Sequence, residues 1–515
     1  MLELESKPRH RQLYLIGLYL FALGLPMSKP VVSFAQFVLL AAWIYEGNIR
    51  EKFQHVLKNK ILLFLVLGFM VQLLWIPFTE DLGRALQDLR IKLPLLTIPI
   101  LTASIWPLAR KEFVKLLDLF ALGVSAVALI GISLYFFQST NADARGLSPF
   151  ISHIRMGILC VLAIFSTLEL VRTEYRWWRL GIIGLLLIYL ILLQGLTALI
   201  LLSAGILVFI IWGIAKLENK RFKWPALGLL ICTILSVGTF LSIFTLNFQK
   251  SDSIDFTQLD YASPSGEVYL HLSENLQREN GHYIWTYVAM NELRSGWNEL
   301  SELDFDGLDE KGQPLHATII RFMASKNLRK DLNGLSQLKA DEIRAIEQGL
   351  TNIRFVDGKG LSDRLYETLW ELEQVQNSGN PSGNSVAQRF EFWSVGWTLL
   401  QKNPLLGIGA GNLVQSFDQA YEELNSELSL NFRKRAHNQY LTYLISFGWI
   451  GGLFILASFF HASIRGKQSL LSISFFVLWT FSFVNEDTLE TQIGASFFIF
   501  FLCLYAFNEV SPKDA

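Results

Sequence analysis

Twelve apolar runs constrain this chain more than any other feature. They lie at roughly 12–28, 30–46, 61–78, 91–108, 114–137, 150–171, 178–194, 196–214, 225–246, 438–462, 468–484 and 491–508. Most approach the ~20 residues that carry a helix across about 30 Å of hydrocarbon. Inside a bilayer each backbone N–H and C=O must be satisfied within its own segment, so such runs are helices. The expected fold is therefore an all-α polytopic membrane protein with about 12 transmembrane helices. Only 17% of residues are charged, against about 25% in soluble domains. A net charge of −1 gives no basic field suited to nucleic acid. The run at 91–108 is the least regular, since Arg90 precedes it and Lys92, Pro94 and Pro107 lie within it. The N-terminus has no cleavable signal pattern, and the first run reads as an anchor behind Lys7, Arg9 and Arg11.

Charge orients the runs. With the N-terminus in the cytoplasm, 20 Lys and Arg fall inside, in clusters at 7–11, 50–60, 110–115, 172–179, 216–223, 465–467 and at 513. The short outer loops and their edges hold only 6: Lys29, Arg84, Arg90, Lys92, Arg145 and Arg155. This bias matches the positive-inside rule with both termini cytoplasmic. The chain then divides into a membrane region over 1–246 with about nine helices, an outer loop domain over 247–436, and a membrane region over 437–515 with about three. The loop has no cysteine, and Cys160, Cys232 and Cys503 all lie in apolar runs, so no disulfide framework is expected.

The outer loop reads as mostly helical. Ile319, Phe322 and Met323 recur at helical spacing, Asp341 is placed to cap a helix ending near Gly349, and another helix is expected over 362–376. The stretch NSGNPSGNS, residues 377–385, has linker composition. LDFDGLDE offers Asp304, Asp306, Asp309 and Glu310. It lacks the spacing of a calcium hand and reads as a solvated turn.

A helix near 388–402 follows. Phe390, Trp393, Trp397 and Leu400 form one expected apolar face, which suits the headgroup level of a membrane. Arg389 opens this helix, and Asn403-Pro404 ends it. By itself Arg389 fits a snorkelling arginine. GIGAGN follows no strand and sits in no βαβ unit, so it reads as a turn with close backbone approach rather than a phosphate cradle. His437 lies where RAHNQYLTYL enters the tenth run, and on a helix it would share a face with Leu441 and Leu444. Position leaves two readings open: an interfacial histidine, or a group that takes a proton from a hydroxyl.

Three segments together, RFEFWSVGWTLLQKNPLLGIGAGN, RAHNQYLTYLISFGWIGG and NEDTLETQIGASFFIFF, resemble the O-antigen ligase family, which shares a superfamily with O-antigen polymerases. The loop segment around NGHYIWTYVAMNELRSGWNELS is similar to members with an enlarged periplasmic loop. The resemblance implies an integral-membrane, metal-independent, inverting glycosyltransferase without cofactor. It implies transfer of a glycan from undecaprenyl pyrophosphate to an acceptor sugar hydroxyl, usually on lipid A-core, at the periplasmic face of the bacterial inner membrane. By the same resemblance Arg389 binds pyrophosphate and His437 activates or orients the acceptor hydroxyl. Guanidinium forks suit phosphate oxygens, so Arg155 in SHIRMG is a second pyrophosphate candidate, followed by Arg90 and Lys92. Asn438, Trp393 and Tyr440 are supporting candidates. The sequence departs from the family at LLQGLTALI, where many members carry an arginine and this chain has Leu196 and Thr197. Ligase and polymerase chemistry share a donor, and both stay open. A lipid-linked oligosaccharide transporter is disfavoured, because transporters keep ionisable residues near mid-membrane and these runs are nearly free of them.

Overall fold

The computed structural model describes residues 8–137, 144–250, 254–356, 360–378 and 385–508. Lys7 and Lys513, and residues 379–384 of the expected linker, lie outside them. The described chain is almost wholly helical and falls into two compact units. One comprises 1–223, 389–426 and 433–515, the other 224–388 and 427–432.

In the first unit, five helices are long and apolar enough to cross a membrane: Lys60–Phe78, Arg110–Phe137, His153–Thr173, Leu196–Lys216 and Gln439–Arg465. A sixth, Lys220–Gln249, straddles the unit boundary and has no buried residue. Lys29–Glu46 with Ile49–Lys58, bent by 111°, makes a seventh if the pair is one span. Three shorter apolar helices, Trp177–Leu193, Leu470–Asn485 and Gln492–Phe507, accompany them. Among the described residues, six to seven candidate spans stand by length and composition, against the twelve expected. The expected continuous span at 91–108 is not formed: one helix covers Leu82–Lys92 and a separate one Pro94–Thr102. Pro94 supplies no N–H and crowds the preceding turn, so it starts a helix rather than continuing one.

Small residues let these helices approach. A Cβ on Gly17 would lie 2.8 Å from Leu39, and one on Gly157 would lie 2.8 Å from Ala198. Buried charges near the expected cytoplasmic side are paired, Arg11 with Glu112 at 2.6 Å and Arg179 with Asp118 at 2.8 Å.

GIGAGN is a backbone junction. The Gln439–Arg465 helix breaks at Gly448, whose φ is +65°. A break orphans carbonyls on one side and N–H groups on the other. The 403–412 loop satisfies both: Ile408 N donates to Ile445 O (2.9 Å) and Gly409 N to Ser446 O (3.0 Å), while Trp449 N donates to Pro404 O (2.8 Å).

The second unit has its own core around Trp297, Phe305, Ile319, Phe322 and Met323. The helix expected from Ile319 spacing runs Leu315–Ser325, and another runs Leu361–Ser378. Asp341 is not the cap of Ala340–Glu347. Lys339 holds that position, and Glu342 accepts from its N–H at 2.8 Å. LDFDGLDE is a turn: Asp306 pairs with Arg294 (2.7 Å), and buried Asp309 accepts from Lys311 N, Gln313 N and Thr318 Oγ1. The two strands are a two-residue hairpin, Arg278–Glu279 with His282–Tyr283, across Asn280-Gly281 at positive φ.

Candidate active site

His437 lies just ahead of the helix that the tenth run forms, at its mouth as expected and not on a helical face with Leu441 and Leu444. Asn438 caps Gln439–Arg465, its side-chain oxygen accepting from Leu441 N at 3.0 Å. His437, one residue earlier, sits at φ +45°, a region costly for a residue with a Cβ. Such strain persists where surroundings impose it. Here the Ser385–Lys402 helix packs alongside. Phe392 packs against the imidazole with centroids 5.8 Å apart and the rings tilted by 34°, and a Cβ on Gly396 would lie 2.9 Å from Leu441.

That helix does not present the face expected of it. Phe392, Val395 and Leu399 are buried, as is Leu400, whereas Phe390 and Trp397 are 59% and 49% exposed. It is apolar on two sides, one packed in the unit and one exposed. Trp393 belongs to neither extreme, and its Nε1 is buried with no hydrogen-bond partner among the described residues.

A cavity of about 370 Å³ opens beside His437. Its lining includes Arg155, Arg433, Lys434, Arg435 and His437, faced by Asp418, Glu486, Asp487 and Glu490. Arg155 enters from the first turn of His153–Thr173, and its Nε is buried with no partner among the described residues. Arg389 is half-buried beside the cavity rather than in its lining. Its charge acts on both His437 and Glu486.

The acidic wall is the 485–491 loop, held by the first turn of Gln439–Arg465. Gln439 Oε1 accepts from Leu489 N (2.7 Å), Gln439 Nε2 donates to Glu490 (3.2 Å), and Thr442 donates to Asp487 (2.8 Å). Asn485 donates to Thr197 Oγ1 at 2.7 Å. Thus Thr197, in the turn near Leu196 where the resemblance leads one to expect an arginine, accepts a hydrogen bond from the start of this loop.

The remaining candidates are placed as follows. Lys92 is buried and bonded to Asp88 (2.9 Å) and Glu490 (2.7 Å), which makes it a support for the acidic wall. Arg90 is exposed and outside the lining. Asn438 serves as the helix cap, and Tyr440 donates to Thr480 O at 3.0 Å. The structure therefore brings Arg155, Arg389 and His437 together and leaves Arg90 apart. Sequence reasoning missed Glu486, Asp487, Glu490, Arg433, Lys434 and Arg435 as site residues. Their signal was two adjacent acids in an expected outer loop, and a basic run just before His437.

Electrostatics divides the cavity. Burial, then Arg389, Arg435, Lys434 and Arg155, hold the His437 pKa down at about 4, so the imidazole is neutral at physiological pH. Burial lifts Glu486 to about 7 against the pull of Arg155 and Arg389. It lifts Asp487 to about 6, with Glu490 adding to the effect and Arg435 opposing it. At Glu490 burial is outweighed by Lys92 and Arg435, which keep it ionised. The result is a neutral proton acceptor among fixed cations, an arrangement that can bind an anion and receive a proton beside it.

No curated protein matches the chain. The family model described as O-Antigen ligase matches residues 348–456, a span that includes Arg389, the NPLLGIG junction and His437. Over this segment the chain is similar to the O-antigen ligase family.

Proposed function

We propose that this protein transfers a glycan from undecaprenyl pyrophosphate to a sugar hydroxyl on lipid A-core, at the periplasmic face of the bacterial inner membrane. The carrying observation is the neutral His437 imidazole opening on the same cavity as Arg155 and flanked by Arg389. The 247–436 loop lies in the periplasm and both termini in the cytoplasm in this reading, as the Lys and Arg bias favours.

A lipid-linked donor stays in the bilayer, so its reacting carbon must meet the acceptor at the surface. Arg155 and Arg389 grip the two phosphates. As the acceptor oxygen attacks, the bond from the anomeric carbon to the phosphate oxygen breaks, and its electron pair leaves with the pyrophosphate. The guanidinium charges stabilise that leaving charge in a partly dry site. His437 takes the hydroxyl proton. A pKa near 4 makes it a weak base in the empty cavity. The donor's negative charge offsets the surrounding cations and raises its proton affinity as the reaction needs it. Attack opposite the leaving group inverts the anomeric carbon.

The test is the surface glycan of a deletion strain, resolved by gel and probed for lipid A-core. Loss of long glycan from the core, with full-length polymer on the carrier, is expected. Single repeat units on the carrier, with the core bearing at most one, would make the protein a polymerase. An unchanged lipopolysaccharide would refute the acceptor.

A further inference from the structure

Glu486 differs from the other acids around the cavity. It is 6% exposed and lines the cavity, yet no described residue gives it a hydrogen bond or an ion pair within 4 Å. Its neighbours are satisfied, Asp487 by Thr442 and Glu490 by Lys92, Arg435 and Gln439. With no partner among the described residues, its carboxyl oxygens face the open cavity, where water or an entering ligand completes them. It terminates the Leu470–Asn485 helix as its C-cap, so its backbone is fixed.

The groups facing it are known. Arg155 comes from the His153–Thr173 helix and Arg389 from Ser385–Lys402; Asp487 adjoins it, and Arg433, Lys434, Arg435, His437, Asp418 and Glu490 share the cavity. The same two arginines that draw Glu486 toward ionisation are those assigned to the donor. When a pyrophosphate diester occupies them, their charge is spent on the ligand. An ionised Glu486 would then face further negative charge inside a buried site, which disfavours it strongly. A neutral carboxylic acid has the opposite value, since it can donate a hydrogen bond to a phosphate oxygen.

We propose that Glu486 is a proton-carrying ligand of the donor: it binds the phosphates in its neutral form, so donor binding draws one proton from water into the cavity. The inference rests on the donor reading given under Proposed function. The empty-site pKa of about 7 is consistent with it, because the proton is then taken up near physiological pH.

The experiment uses the full chain in detergent and a short-chain polyprenyl diphosphate sugar, a diester with no proton titrating near neutrality. Calorimetry in two buffers of different ionisation enthalpy counts protons. At pH 7.5–8.5 the wild type should take up close to one proton per ligand, and its affinity should fall up to tenfold per pH unit as pH rises. Glu486→Gln should bind with affinity independent of pH over that range, and His437→Asn should keep the wild-type proton count. Binding without proton uptake by the wild type overturns the inference and leaves the donor site standing, whether or not the Gln variant folds. So does uptake that persists in Glu486→Gln or vanishes in His437→Asn. No binding by the wild type at pH 6 overturns the inference and the donor reading together.

Discussion

Replacing Gly407 by alanine tests whether the NPLLGIG junction is structural. Its φ is +71°, and an added Cβ would lie 2.5 Å from both Gly448 N and Ile445 O and 2.7 Å from Phe447 N. All three are backbone atoms of the broken helix, so no side chain can swing aside. Ordinary contact needs at least 3.4 Å, so loop and helix must separate by about 0.9 Å. That shift would break the 2.9 Å bond from Ile408 N to Ile445 O and the 3.0 Å bond from Gly409 N to Ser446 O. Two buried hydrogen bonds at roughly 1 kcal/mol each, with roughly 1 kcal/mol of left-handed strain, give a loss of about 3 kcal/mol. Thermal unfolding of the purified protein in detergent should fall by roughly 5 °C. Transfer should weaken too, because the junction joins the Arg389 helix to the helix that follows His437. Gly181→Ala is the control, since a Cβ there meets nothing within 4 Å, and it should unfold within about 1 °C of wild type. If Gly407→Ala unfolds with the control and transfers normally, the junction reading is wrong.

Other perturbations have defined outcomes. Glu490→Ala leaves Lys92 and Arg435 without their shared carboxylate and should destabilise by roughly 3–5 kcal/mol in the same assay, whereas Arg90→Ala should be silent. His437 is held neutral with a folded pKa near 4 against about 6.5 unfolded. Below about pH 6.5 the unfolded chain binds a proton that the folded chain refuses, so stability falls as pH drops from 6.5 toward 4 and is flat above. His437→Asn should remove that part of the slope; an unchanged slope would mean the imidazole is already protonated. Glu486 has the opposite shift, 4.5 to about 7, so its contribution is lost as pH rises through that window. Glu486→Gln should therefore raise the melting temperature at pH 8 more than at pH 5.

Much of this was legible in the sequence because charges at the ends of apolar runs are rare and conspicuous. Arg155 and His437 stood out that way, Arg389 stood out at the start of an amphipathic helix and by the family resemblance, and the structure brings the three near one another. GIGAGN was legible as a turn because no strand precedes it. The packed face of the Ser385–Lys402 helix was not. Apolar periodicity marks a core only where the alternative is water; in a chain with candidate membrane spans an exposed face can be apolar too, as at Phe390 and Trp397. The left-handed backbone of His437 was not legible, because the capping role of Asn438 depends on backbone conformation. Glu486 was hidden because its significance is the lack of a partner, which only tertiary packing defines. The run at 91–108 failed at Pro94, whose composition is apolar but whose ring ends one helix and begins another.

The most direct measurement reconstitutes the purified protein in liposomes with a labelled polyprenyl diphosphate glycan and lipid A-core, and follows label onto the core. The account predicts transfer by wild type and none by His437→Ala or Arg389→Ala, with both variants inserted normally. Transfer near the wild-type rate by either variant would contradict the catalytic assignment, and no transfer by the wild type would contradict the proposed reaction itself.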